Sequence, residues 1–116
     1  MVVDQRNGGA AVTPTTNTTY TLDRWLTYLS QASKFSVQQS TVVPAGFKNS
    51  LLVTSLSAYA VGTSETFSIV QRIEGLNIYD LDWGTADAKT VTLSFWTRSS
   101  LTGTFGGSLQ NGAANR

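Results

Sequence analysis

The chain has no histidine and no cysteine among its 116 residues. The first absence removes the Ser-His and Cys-His nucleophile pairs and the usual zinc ligands. The second removes a disulfide framework and any thiolate metal site, and leaves cysteine usage silent about compartment. Charge is scarce as well: charged residues make up 13% of the chain, the net charge is +1, and like charges form no run. That is too little clustered Lys and Arg for an electrostatic nucleic-acid binder, so no nucleic-acid partner is expected. No apolar run approaches the length of a membrane-spanning helix, and membrane insertion is not expected either. The opening residues MVVDQRNGG lack the charged and apolar regions of a signal peptide. A secreted-type composition without such a signal suggests release by lysis, or a Met1 that is internal to a longer chain.

What fills the space is Ser and Thr, roughly a quarter of the chain; Thr suits pleated surfaces and Ser suits turns. The most informative stretch is Thr90 to Phe105. Val91, Leu93 and Phe95 alternate with Thr90, Thr92, Ser94 and Trp96, the period of two that puts one set on each face of a strand. This predicts a strand over 89–98 with Leu93 and Phe95 in the core, a turn at Ser99–Ser100, and a further strand over 102–109. The same alternation recurs at 34–40, 50–56 and 66–73, where Phe67, Ile69, Gln71 and Ile73 share a face.

Other segments read less simply. Residues 1–6 suit a short edge strand, and 7–17, with Asn-Gly-Gly and Pro14, a turn-rich loop. Between Tyr20 and Ser30, Leu22, Trp25, Leu26 and Leu29 fit a helix, while Trp25, Thr27 and Leu29 fit a strand face; the Thr-rich lead-in and aromatic content favour a strand. Residues 76–84 suggest a short helical turn against one end of the fold. About seven strands at regular spacing, with no internal repeat, predict an all-β antiparallel β-sandwich: one domain over 1–116, or the N-terminal portion of one.

Paired carboxylates are the catalytic option left without histidine. Asp80, Asp82 and Asp87 share a loop. They are open to capping the local turn, to holding a hard cation such as a structural calcium through Asp80 and Asp82, or to acid–base work across a cleft. Their spacing matches no calcium-loop signature, and no catalytic residue is assigned; the chain is not expected to be an enzyme. Aromatics are the binding option, since sugar C–H faces stack on exposed rings, and Trp96, Trp83 and Tyr79 are the candidates. Trp96 has the wrong parity for the Val91/Leu93/Phe95 face, so it points to solvent or to a neighbouring subunit; Trp25 is expected in the core. The Gln-Arg pairs at 5–6 and 71–72 suggest a polar ladder on a sheet face, and Arg72 joins Trp96 as a candidate interface residue. Asn17-Thr18-Thr19 is a formal glycosylation sequon.

The strings VDQRNGGAAVTP, YTLDRW, SKFSVQQS, SLLVTS, FSIVQRIEG and DLDWGTADAKTVTLSFWTRSSLTGTFGGSLQN together resemble a domain of tailed-phage tail-fibre and other virion-associated proteins, itself similar to carbohydrate-binding-module jelly rolls. The resemblance implies a jelly-roll sandwich on a fibre, with structural or adhesive duties and a virion location. Its partners would be further copies of itself (a trimer among the options), other virion proteins and a host surface glycan. It also implies further strands beyond Arg116, hence a sandwich incomplete at its C-terminal side. Two other uses are open: a fibre or decoration component without a ligand, and an accessory module of a polysaccharide-degrading enzyme.

Overall fold

A computed structural model of the chain describes residues 3–113. The described fold is all-β, with five strands in two antiparallel sheets. Strands β1 (Thr19–Leu22), β2 (Trp25–Leu29) and β5 (Phe67–Gln71) form one sheet in the order β1-β2-β5. Strands β3 (Phe35–Ser40) and β4 (Ser50–Ser55) form the other.

The ambiguous 20–30 region is a tight hairpin of two strands. Leu22 pairs with Trp25, and Arg24 absorbs the turn with a left-handed φ of 68°. β2 then pairs along its whole length with β5, Trp25 opposite Gln71 and Leu29 opposite Phe67. Pairing residues of an antiparallel ladder lie on the same face. The face carrying Trp25, Thr27 and Leu29 therefore also carries Phe67 and Ile69, as their alternation predicts. In the second sheet Val37 lies opposite Val53, and Gln39 opposite Leu51. Val12, within the turn-rich loop, exchanges both backbone hydrogen bonds with Val37 at 2.9 Å. The second sheet thus gains a one-residue bridge on the free side of β3, and β4 keeps its outer edge open among the described residues.

The two sheets meet through a small core. Leu22 and Leu29 from the first and Phe35 and Val37 from the second form the buried cluster, with Trp25, Phe67, Ile69 and Leu51 packed around it. Phe35 and Phe67 meet edge to face, ring centres 6.3 Å apart, a favoured aromatic geometry. Leu26, at the centre of the opposite face of β2, is also fully buried. The expected β-sandwich layering is present, with Trp25 against the core.

The C-terminal third differs from expectation. Residues 86–113 form no strand and no bridge, which corrects the strands expected over 89–98 and 102–109. Leu93 and Phe95 are 67% and 75% exposed, which corrects their placement in the core. The reason is that alternation equips a segment to be a strand but does not supply a partner; backbone pairing and an opposing apolar surface must both exist. The core is closed by residues up to Gln71, and among the described residues 86–113 pairs with no strand, the open edge of β4 included. The radius of gyration is 15.9 Å, against about 13 Å for a compact domain of this length. Of the edge strand expected over 1–6, Met1 and Val2 lie outside the described residues, and 3–6 form no strand. The helical turn near 76–84 is present as two short 3-10 turns, Gly75–Asn77 and Tyr79–Leu81, neither of which buries a residue.

Candidate functional site

The first sheet opens at one end into a shallow cleft of about 440 Å³, lined by Arg6, Tyr20, Asp23, Arg24, Arg72 and Glu74. Local structure brings these distant residues together. The N-terminal loop is shaped by Asp4, whose carboxylate accepts from the Asn7 and Gly9 N–H groups at 3.2 and 2.8 Å. Gly8 and Gly9 take the positive φ values this turn needs. The loop is tied to the β1–β2 hairpin twice: Asn7 Nδ2 donates to the Thr21 carbonyl, and the Gln5 N–H donates to Asp23 Oδ2 at 2.6 Å. Arg6 is thereby held over the Tyr20 ring, 5.9 Å from its centre, with its Nε 4.0 Å from Asp23 Oδ1. Arg72, just past β5, donates to the Tyr28 hydroxyl at 2.7 Å.

The cleft therefore combines three guanidinium groups, two carboxylates and one aromatic ring. Guanidinium forks recognise planar anions and hydroxyl pairs, and a tyrosine ring offers a stacking face. Nothing in the set resembles a nucleophile with its base.

A second polar cluster lies in the loop between β4 and β5. Tyr59 donates its hydroxyl to Glu65 Oε1 at 2.5 Å, the Gly62 N–H donates to Oε2 at 2.7 Å, and Lys34 Nζ sits 4.6 Å from the centre of the Tyr59 ring. The Tyr59 hydrogen bond, then the Gly62 N–H, hold the Glu65 carboxyl below its ordinary pKa. The same bond raises Tyr59 above its own. Donation to a carboxylate favours its charged form and disfavours deprotonation of the donor.

The residues expected from the sequence are only partly assembled. Tyr79, Asp80, Asp82 and Trp83 share the turn after β5. There Asp82 pairs with Lys89 at 3.6 Å, Lys89 Nζ also donates to the Asp80 carbonyl, and Trp83 Nε1 donates to the Lys89 carbonyl at 2.9 Å. Asp82 thus serves as the partner of a lysine, and among the described residues no three acidic side chains gather to hold a metal ion. Tyr79 stands out into solvent, and Trp96, 78% exposed, is separate from this turn along the irregular segment. Arg72 lies in the cleft. Arg6 and Arg72, the Arg members of the two Gln-Arg pairs, line the same cleft; Tyr20, Asp23, Arg24 and Glu74 carry no sequence signal that marks them as a site. The Asn17 side chain of the sequon accepts the Leu29 N–H at 3.0 Å and closes the end of β2.

Comparison with protein-family models, with curated proteins and with solved structures finds no match to this chain. The class is therefore stated from the fold alone: a small all-β protein of two antiparallel sheets.

Proposed function

We propose that the chain is an adhesive β-sandwich module of a phage virion, part of a tail fibre or receptor-binding protein that presents its surface to a host glycan. The carrying observation is the Arg6–Tyr20–Arg72 cleft: an open site with a ring and guanidinium groups, on a surface otherwise low in charge. Such a cleft suits a polar, ring-shaped ligand held weakly and reversibly. Copies joined on one particle strengthen weak contacts by roughly 10²–10⁴ without any new contact. The exposed rings of Tyr79, Trp83 and Trp96 are further candidate platforms.

The same exposed aromatics favour one second reading, a fibre or decoration component whose rings meet other virion proteins and no ligand. A glycan array probed with the multivalent protein separates the two. The adhesive reading expects binding to a restricted set of glycans, weakened at least tenfold by Tyr20→Ala or Arg72→Ala with the fold retained. Absence of binding to every glycan, with self-association intact, favours the structural reading.

A further inference from the structure

Strand β4 is an unprotected edge. It pairs only with β3 among the described residues, and its sequence SLLVTS contains no charge, proline or glycine. Natural edge strands are blunted by such residues, because open N–H and C=O groups recruit any available strand. Both faces of β4 also expose apolar side chains: Val53, on the core-facing side opposite Val37, is 45% exposed, and Leu52, on the other side, is 41% exposed. The core therefore ends on this flank with apolar groups half uncovered.

The same chain carries a segment with the opposite deficiency. Thr90–Trp96 has strand alternation, again without charge, proline or glycine, and pairs with no strand among the described residues. Its seven residues are enough to cover the six of β4. Its two faces match as well. With Val91, Leu93 and Phe95 set beside Leu51 and Val53, they extend the core-facing layer; Trp96, on the other parity, then falls on the side of Leu52. The out-of-phase tryptophan thus shares a face with the one apolar side chain exposed on the outer side of β4. Side-chain parity is kept whether the added strand runs parallel or antiparallel.

We infer that Thr90–Trp96 of one copy adds as a strand to the open β4 edge of a second copy. The segment is undocked among the described residues of its own chain, and the molecule is correspondingly extended. A donated segment and an acceptor edge on each copy make the contact either reciprocal, closing a dimer, or head-to-tail, closing a ring or growing a fibre. Backbone hydrogen bonds supply the pairing, and the alternating side chains set the register. The inference is independent of the glycan reading, since no ligand takes part.

The chain has no cysteine, so introduced thiols are the only ones present. Two differently sized versions of the full chain are mixed, one with Leu51→Cys or Val53→Cys, the other with Leu93→Cys or Phe95→Cys, and oxidised at high micromolar concentration. The expected result is a mixed-size crosslinked dimer, at least fivefold weaker when the second chain instead carries Trp96→Cys, whose side chain has the opposite parity. Separately, Thr92→Pro and Leu93→Pro are made singly, since the N–H of one or the other faces β4 whichever way the added strand runs; at least one of them is expected to weaken self-association at least tenfold by sedimentation with the β circular-dichroism signal unchanged. Absence of the mixed dimer overturns the inference. So does a crosslink confined to one copy when Val53→Cys and Phe95→Cys are combined in a dilute single chain, or association untouched by both Thr92→Pro and Leu93→Pro.

Discussion

Replacing Phe35 with alanine tests where the core of this protein lies. Phe35 is buried to 9% exposure within the cluster of Leu22, Leu29 and Val37, and its ring meets that of Phe67 edge to face. Truncating a buried Phe costs about 3–5 kcal/mol, of which the ring pair accounts for about 0.5–1.5 kcal/mol. Small domains have only about 5–15 kcal/mol of stability in total. With a urea slope of about 1.5 kcal/mol per molar, the Phe35→Ala midpoint falls by roughly 2–3 M. Phe95 is the matched control: the same residue type, 75% exposed in the irregular segment. At concentrations too low for association, Phe95→Ala is expected to cost less than about 0.5 kcal/mol, as for other surface changes. The assay is urea unfolding followed by circular dichroism at submicromolar protein. Equal midpoints for the two variants, or a larger loss for Phe95→Ala, would refute the placement of the core.

Three further outcomes follow from individual contacts. Asn17→Ala leaves the part-buried Leu29 N–H without its acceptor and is expected to cost about 1–2 kcal/mol, read in the same urea assay. Thr21 is fully buried and its hydroxyl has no partner among the described residues, so Thr21→Val is expected to raise stability by about 1 kcal/mol, the order of a buried, unpaired hydroxyl's desolvation cost. For the loop at 59–65, the depressed Glu65 pKa means its tie to Tyr59 is fully present above the ordinary glutamate range and lost as pH falls through the lower folded value. The raised Tyr59 pKa means the tie is present below the ordinary tyrosine value and lost as pH rises through the higher folded one. A carboxyl-detected NMR titration of Glu65 is expected to move back up toward the ordinary value in Tyr59→Phe; an unchanged midpoint would contradict the assigned cause.

How far the sequence speaks differs from element to element. β3 and β5 follow from alternation because each sets an apolar face toward the core, the condition under which a period of two becomes visible; β4 does so only through Leu51. The β1–β2 hairpin is hidden for two reasons. Leu26 and Leu29 are buried from opposite faces of β2, which mimics helical spacing. The turn at Asp23–Arg24 also lacks the glycine or asparagine that marks a left-handed φ, Arg24 taking it instead. Val12 joins β3 from a loop whose Gly and Pro content argues against pairing. Val91–Phe95 shows the converse: its strand pattern is as clear as any in the chain, yet a pattern records what a segment is able to bury and not whether a surface is present to bury it. The cleft is illegible because its residues come from positions 6, 20, 23, 24, 72 and 74, and only the hairpin, the N-terminal turn and the pairing of β2 with β5 bring them together. The Asp82 expectation rests on residue type and a shared loop, which do not foresee that Asp82 faces Lys89.

Amide hydrogen exchange across 90–96, followed by mass spectrometry as a function of protein concentration, tests most directly whether this segment is a strand that finds its partner on another copy. Backbone that is unpaired within its own chain exchanges fast, and pairing slows it. At submicromolar concentration, amides of Val91–Phe95 are expected to exchange rapidly while those of β2 and β3 stay protected. At high micromolar concentration every second amide of 91–95 should become protected, together with the outward-facing amides of β4. Protection of 91–95 that is already complete in the dilute monomer, or rapid exchange there at every concentration, would contradict it.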